Sequence, residues 1–208
     1  MTVTQHGTFD FTLMYLTHAA FRRDLGRLAD AVAAGRACTK GAQAGWTVFK
    51  DQLNVHHSVE DAALWPKVAS AARGRPDAVA LMAEMEAEHA ALHPRLDAVE
   101  AALAHRGADL ASRVAGLGDV LERHMRHEED SALPLIEEVL PPRDWGAFRS
   151  AMARRQGVRG AAMYVPWVLD GLGPADQRRF MIDMGRRVQV ANTLVFQWNY
   201  KVRHLWGR

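Results

Sequence analysis

The chain has a single cysteine, Cys38, in 208 residues. No intramolecular disulfide can form, and a reducing cytoplasm is the expected setting. Strand signals are nearly absent, since alternating runs of β-branched and aromatic residues do not recur. Long apolar runs are missing too. The longest, at residues 161–172 and 188–198, are too short and too interrupted to span a bilayer, so a membrane is not an expected partner. The opening Met-Thr-Val-Thr-Gln-His lacks a basic region followed by an apolar stretch and does not read as a signal peptide. The length is nevertheless sufficient to bury a substantial core without staples.

Charge is unevenly distributed. Residues 1–142 carry 14 Lys and Arg against 20 Asp and Glu, whereas residues 143–208 carry 12 Lys and Arg against four Asp. Such a basic tail either docks on an acidic body or meets an anionic partner such as nucleic acid. Docking is the favoured reading, because the tail's arginines are interleaved with core-like Trp, Met and Val and do not cluster in one run.

Alanine and leucine dominate, and apolar residues recur at spacings of three and four, the helical period. Helices are expected over residues 9–34, 40–72, 77–105 and 109–139, with a bend at Pro66, a kink near His93 before Pro94, and Pro134 inside the fourth. Gly35, the Arg73-Gly74-Arg75-Pro76 turn, Gly107 and Pro141-Pro142 punctuate them. The expected fold class is all-α, an up-down-up-down four-helix bundle over residues 1–142. Residues 143–208 are expected to add helices near 144–155, 160–170 and 175–200, the last with Pro174 at its start. Four of the six tryptophans, Trp145, Trp167, Trp198 and Trp206, lie in this extension. Rings of that size need something to pack on, so the extension is expected to cover the bundle.

An internal repeat carries the chemistry. His56 through Pro66 and His124 through Pro134 align on their prolines, pairing His56 with His124, Glu60 with Glu128 and Asp61 with Glu129. Each copy is a histidine, a glutamate four residues on, and a proline six after that. The segment starting at His18 likewise aligns with the one starting at His89. At a rise of about 1.5 Å per residue, distances from each histidine to the nearest turn place all four at one level of a bundle, within about one helical turn. The i, i+4 spacing puts each glutamate on the face of its histidine. His18, His56, His89 and His124 with Glu60 and Glu128 therefore form a candidate metal set, in which the two carboxylates bridge a pair of ions. Buried carboxylates left unpaired would be costly, and a metal is the natural compensation.

A lone histidine on an apolar face is ordinarily a hydrogen-bonded core residue; repetition with matched glutamates argues otherwise here. His57 and His127 are expected to point off the axis, although His57 with Asp61 is an alternative i, i+4 pair. His93 is read either as a ligand or as a hydrogen-bond partner of one, because Arg22 occupies its place in the first helix. Tyr164 and, after it, Tyr15 are candidates for phenolate ligation, with core packing the commoner role. His6, His105 and His204 are expected to play no part.

On His18, the His56–Glu60 pair with Leu64-Trp65-Pro66, Glu88-His89, and the His124–Glu128 pair with Leu133-Pro134, the sequence resembles the hemerythrin-like, or HHE cation-binding, family over roughly residues 9–140. The resemblance implies a non-haem centre of two iron ions, oxo- or hydroxo-bridged, with two bridging carboxylates and terminal histidines. Oxygen-carrying members have a third-helix HxxxH pair, which His89 and His93 match, and an aspartate five residues after the last histidine. Position 129 is Glu129 instead, and the repeat with Glu60 selects Glu128 as the bridge; this departure counts against simple reversible oxygen carriage. The expected function is binding of dioxygen, peroxide or nitric oxide for sensing, storage or stress defence. The alternatives are a di-iron enzyme that decomposes peroxide or handles nitric oxide, and a structural zinc bundle with closed coordination.

Overall fold

The computed structural model describes residues 9–182 and 184–207; His6 lies outside them. Ten α-helices and no strand occur among the described residues: α1 (Thr12–Ala33), α2 (Lys40–Ala63), α3 (Trp65–Ala71), α4 (Pro76–His105), α5 (Leu110–His127), α6 (Leu133–Val139), α7 (Pro142–Leu169), α8 (Pro174–Ile182), α9 (Arg186–Ala191) and α10 (Gln197–Lys201). None is long and apolar enough to cross a membrane.

Local chemistry sets the ends. The Asp10 carboxylate accepts from the Thr12 N–H at 2.9 Å just before α1. Beyond α1, Gly35 takes a φ of 66°, and the Arg36 N–H reaches back to the Ala31 carbonyl at 2.7 Å; a left-handed glycine is the usual helix stop. The Thr39 hydroxyl caps α2 by accepting from Ala42 N–H. Prolines open α4 and α7, where the missing N–H costs nothing. Pro94 is carried within a continuous α4. In α7 the two expected helices follow each other across a break at Gly157, with φ 59° and ψ −173°.

The repeated proline motif folds in two ways. Proline has no N–H and its ring crowds the carbonyl four residues back. At Pro66 the helix is interrupted: Leu64 stays in the right-handed region but is distorted (φ −110°, ψ −62°), and α3 begins at Trp65. At Pro134 it widens instead. Glu128–Ala132 form a π-turn in which the Leu133 N–H bonds to the Glu128 carbonyl, joining α5 to α6 without interruption.

α1 packs on α2 and α5, and α4 packs on α5 and on α2, so the contacts close a ring. Inside it lie two separate apolar clusters. One contains Leu16, Phe21, Leu28, Phe49, Leu53 and Leu121; the other contains Met14, Val59, Trp65, Met85, Leu133 and Ile136. Buried polar residues occupy the level between them.

The extension joins the first cluster through Val165, Trp167, Val168 and Phe180, with Leu205 and Trp206 behind them. Trp206 lies where a side chain at Gly45 would be, with its ring only 2.3 Å from a Cβ placed there, and the Gly207 backbone crowds Gly41 in the same way. Two glycines one turn apart on α2 thus make the groove that receives the C-terminal residues. Two ion pairs between extension and body run opposite to the expected charge pattern. In the ion pairs Lys67–Asp144 (3.0 Å) and Arg27–Asp170 (2.6 Å) the extension supplies the acid. Nor do all its tryptophans pack: Trp198 is 67% exposed.

Candidate metal centre

Four helices each send a histidine to the level between the apolar clusters. His18 (α1), His56 (α2), His89 (α4) and His124 (α5) are all at most 2% exposed, and Glu60 and Glu128 are fully buried beside them. Two groups form. His18, His56 and Glu128 each bring one donor atom within 4.8 Å of the others; His57, His89 and His124 do the same.

Within the groups, ring nitrogens face one another. His18 Nε2 lies 3.2 Å from His56 Nε2, and His89 Nε2 lies 3.1 Å from His124 Nε2. The outer nitrogens decide what these contacts mean. His18 Nδ1 is 2.8 Å from Glu129, His89 Nδ1 is 2.7 Å from Asp61, and His124 Nδ1 is 2.9 Å from Glu88. A carboxylate only accepts, so each of these rings carries its proton on Nδ1. In the neutral ring of His89, Nε2 is then a bare lone pair, and it points at Nε2 of His124 as a nitrogen ligand points at a shared cation.

The carboxylates are in the same position. Glu60 spans the two groups, with Oε1 3.1 Å from His56 Nε2 and Oε2 3.7 Å from His89 Nε2. Glu128 Oε2 is 3.2 Å from His18 Nε2. All four oxygens of Glu60 and Glu128 are buried without a hydrogen-bond partner. A carboxylate in that state is normally neutralised or bound to a metal.

Protonation tendencies agree. Burial, then the charge of Glu128, pushes Glu60 well above the usual carboxylate range. Burial and neighbouring imidazoles push His56 and His57 well below the ordinary histidine value, and burial with His124 pushes His89 down to about 3. These three are neutral imidazoles, the form that ligates. For His18, burial lowers the value, but the charge of Glu128 and the hydrogen bond and charge of Glu129 outweigh it and raise it to about 8. Without a cation, His18 itself serves as the counter-charge to these acids.

The expected set, His18, His56, Glu60, His89, His124 and Glu128, is brought together. His57 was expected off the axis and is instead buried, its ring parallel to His89 at 4.0 Å between centroids. Consecutive helical residues are about 100° apart, so His56 and His57 straddle the bundle axis and serve one group each. His93 is exposed and belongs to neither group. Glu129 holds the outer nitrogen of His18 and takes a forked pair from Arg22, at 2.8 and 3.2 Å. His127 sits on Glu88 at 2.8 Å, so Glu88 orients both it and His124. Tyr15 is half-buried and in neither group; burial and the acids at 128–130 push its hydroxyl up. Tyr164 is also outside. The Thr17 hydroxyl donates to the Leu13 carbonyl, so the Tyr164 hydroxyl donates to Thr17 at 2.7 Å. Burial pushes Tyr164 up to about 12, which keeps it a phenol. His105 and His204 are exposed.

A repeated His-and-Glu constellation at one level of a helical ring, with outer nitrogens tied to acids, is a metal-binding design. Residues 10–136 match the family model of the hemerythrin HHE cation-binding domain. The chain belongs to that family. Neither the curated proteins nor the solved structures gave a match to it. For this hemerythrin-family chain the donor set fits the implied cations: nitrogen and carboxylate oxygen suit first-row transition metals, and the orphaned carboxylate oxygens call for positive charge. Sequence reasoning missed His57 because its partner in the repeat is Met125. The adjacent His-His pair was the available signal.

Proposed function

We propose that the protein holds two iron ions and binds a small ligand, dioxygen, peroxide or nitric oxide, for sensing, storage or stress defence. His18 and His56 would hold one ion and His57, His89 and His124 the other, with Glu60 and Glu128 shared between them. The four segments α1, α2–α3, α4 and α5–α6 would form the up-down-up-down bundle that presents these groups, and residues 143–208 its cover. The observation that carries the reading is the pair of Nε2–Nε2 contacts at 3.2 and 3.1 Å beside four carboxylate oxygens without donors.

When bound, such a pair supplies Lewis-acid and one-electron redox chemistry toward a small ligand. The chain does the rest. Glu129, Asp61 and Glu88 fix the tautomer and ring angle of their histidines. Arg22 holds Glu129 from the far side. Phe21, with its ring 5.5 Å from His56 and 5.2 Å from Trp167, keeps bulk water from one side of the site.

The unequal histidine supply, two against three, favours binding or reactivity over a closed structural zinc site, since it leaves one ion with fewer protein donors. The test is metal content and absorption on protein purified without added metal. About two irons per chain with near-ultraviolet charge-transfer bands are expected, and Glu60→Ala and Glu128→Ala should lose the pair. Normal iron in both variants would defeat the shared-carboxylate assignment. Oxygen release from added peroxide by the loaded protein, lost in the same variants, would favour the enzyme reading.

A further inference from the structure

The last helical stretch has two faces, both of period four. α9 runs into a π-turn at Asn192–Phe196, where the Gln197 N–H bonds to the Asn192 carbonyl, and continues as α10. Val188, Phe196 and Tyr200 pack on the first apolar cluster, and Asn192, in the same series, is buried. Offset by two residues, Val190, Leu194, Trp198 and Val202 are exposed, Leu194 at 72%. Around an α-helix a side chain at every fourth position drifts by about 40° per step. From Val190 to Val202 the row would turn by about 120°. The π-turn holds an extra residue and takes back about 100° of that. Both series therefore stay in line, one facing the protein and the other facing away from it. Val195 widens the outer row.

A continuous row of large apolar side chains is not ordinary surface scatter. Charge frames it. Arg186 and Arg187 stand at its start and Lys201 and Arg203 at its end, all exposed, and residues 184–208 contain no Asp or Glu. Leucine, valine and tryptophan between basic residues suit a helix lying in the headgroup layer of a bilayer, where the indole sits at the interface and the cations reach lipid phosphate. A short apolar run prevents a helix from crossing a membrane but not from lying on one, which needs only an apolar face. Anionic headgroups complement the charge. A second copy of the chain would not, because a two-fold pairing along this face sets the same cations against each other. Nucleic acid would take the arginines but leave the apolar row in water.

We propose that the outer face of α9 and α10 docks the protein on the surface of a membrane rich in anionic lipid, with Leu194 and Trp198 entering the headgroup layer and Arg186, Arg187, Lys201 and Arg203 meeting the lipid charge. The proposal goes beyond the metal reading and does not depend on iron. It gives residues 143–208 a task besides covering the bundle.

Co-sedimentation of the full chain with vesicles tests it, with iron content measured alongside. Vesicles of equimolar phosphatidylcholine and phosphatidylglycerol should bind the protein more tightly than phosphatidylcholine alone, by about tenfold or more, and salt should weaken the binding. Tryptophan emission should shift to the blue on binding. Trp198→Phe should keep the binding and lose most of that shift. Leu194→Gln should weaken binding by about tenfold or more, the effect of withholding a leucine from apolar surroundings. Arg186→Gln with Arg187→Gln should weaken binding to the anionic vesicles by about thirtyfold. All these positions are exposed, so the variants should fold, and circular dichroism checks that they do. Equal binding to both kinds of vesicle would overturn the proposal, as would full binding by Leu194→Gln or an emission shift that survives Trp198→Phe. A chain that ignores vesicles and forms a dimer broken by Leu194→Gln would overturn it in favour of an interface between copies. Binding of duplex DNA in place of vesicles would overturn it in favour of nucleic acid. Iron loading that fails while vesicles still bind would count against the metal reading alone.

Discussion

At the scale of single residues, the centre separates side chains that hold charge from those that hold position. His57 and His93 are the sharpest pair. His57→Ala removes a buried nitrogen from the group of His89 and His124, so iron content should fall from about two per chain toward one. His93→Ala removes an exposed ring, and iron content should stay unchanged. Metal analysis of the two variants side by side checks both. Asp61 and Glu88 reach the centre through the outer nitrogens of His89 and His124, at 2.7 and 2.9 Å. Replacing either by alanine should weaken metal retention by about 10–100-fold, the usual cost of losing a ligand's hydrogen-bond partner. A chelator competition series measures that loss directly.

At the scale of elements, the π-turn at Glu128–Ala132 is the feature with the most leverage. It absorbs Pro134 and keeps α5 and α6 in one line, so its extra residue sets how Glu128 and Glu129 are phased against Leu133 and Ile136. Deleting Ser131 would restore α-helical phase and turn the two halves by about 100° relative to each other. Iron binding should then be lost while far-ultraviolet helicity is largely kept; circular dichroism with metal analysis distinguishes this from simple unfolding. The groove at Gly41 and Gly45 gives a second case. Gly45→Val puts atoms where the Trp206 ring already lies. Overpacking of this kind costs about 1–3 kcal/mol, and a lowered Tm with increased exposure of tryptophan by fluorescence is the expected result.

At the scale of the whole molecule, a buried acid is a central fastening of the extension. Asp24 is 1% exposed and accepts from the Trp167 indole at 2.8 Å, from Arg23 at 2.9 Å and from Arg27 at 3.3 Å. Arg27 in turn reaches Asp170, which also accepts from the Tyr200 hydroxyl at 2.9 Å. Burial works to raise the Asp170 value, but the hydrogen bond and charge of Arg27 outweigh it and hold it below the usual range. The docked form therefore favours the ionised carboxylate. Its contribution is complete above the ordinary value, about pH 4, and is lost as the pH falls through the lower folded value. Limited proteolysis within residues 143–208 should accelerate in that acidic window for the wild type. In Asp170→Asn it should be faster at neutral pH and less sensitive to acid.

Helical period, the proline-aligned repeat and the spacing of histidine from glutamate were all legible in the chain, because each is local: a helix places i and i+4 on one face whatever surrounds it. That locality determined the all-α class, the candidates His18, His56, Glu60, His89, His124 and Glu128, and membership in a cation-binding family. Azimuth around the axis is not local. Which neighbour of His56 turns inward, why His93 stays in water, and why one proline breaks its helix while the other widens it depend on how four rods rotate against each other. The extension obeys the same division. Its helices followed from period and proline, but its docking through Asp24, Asp170 and a glycine groove arises only when distant surfaces meet.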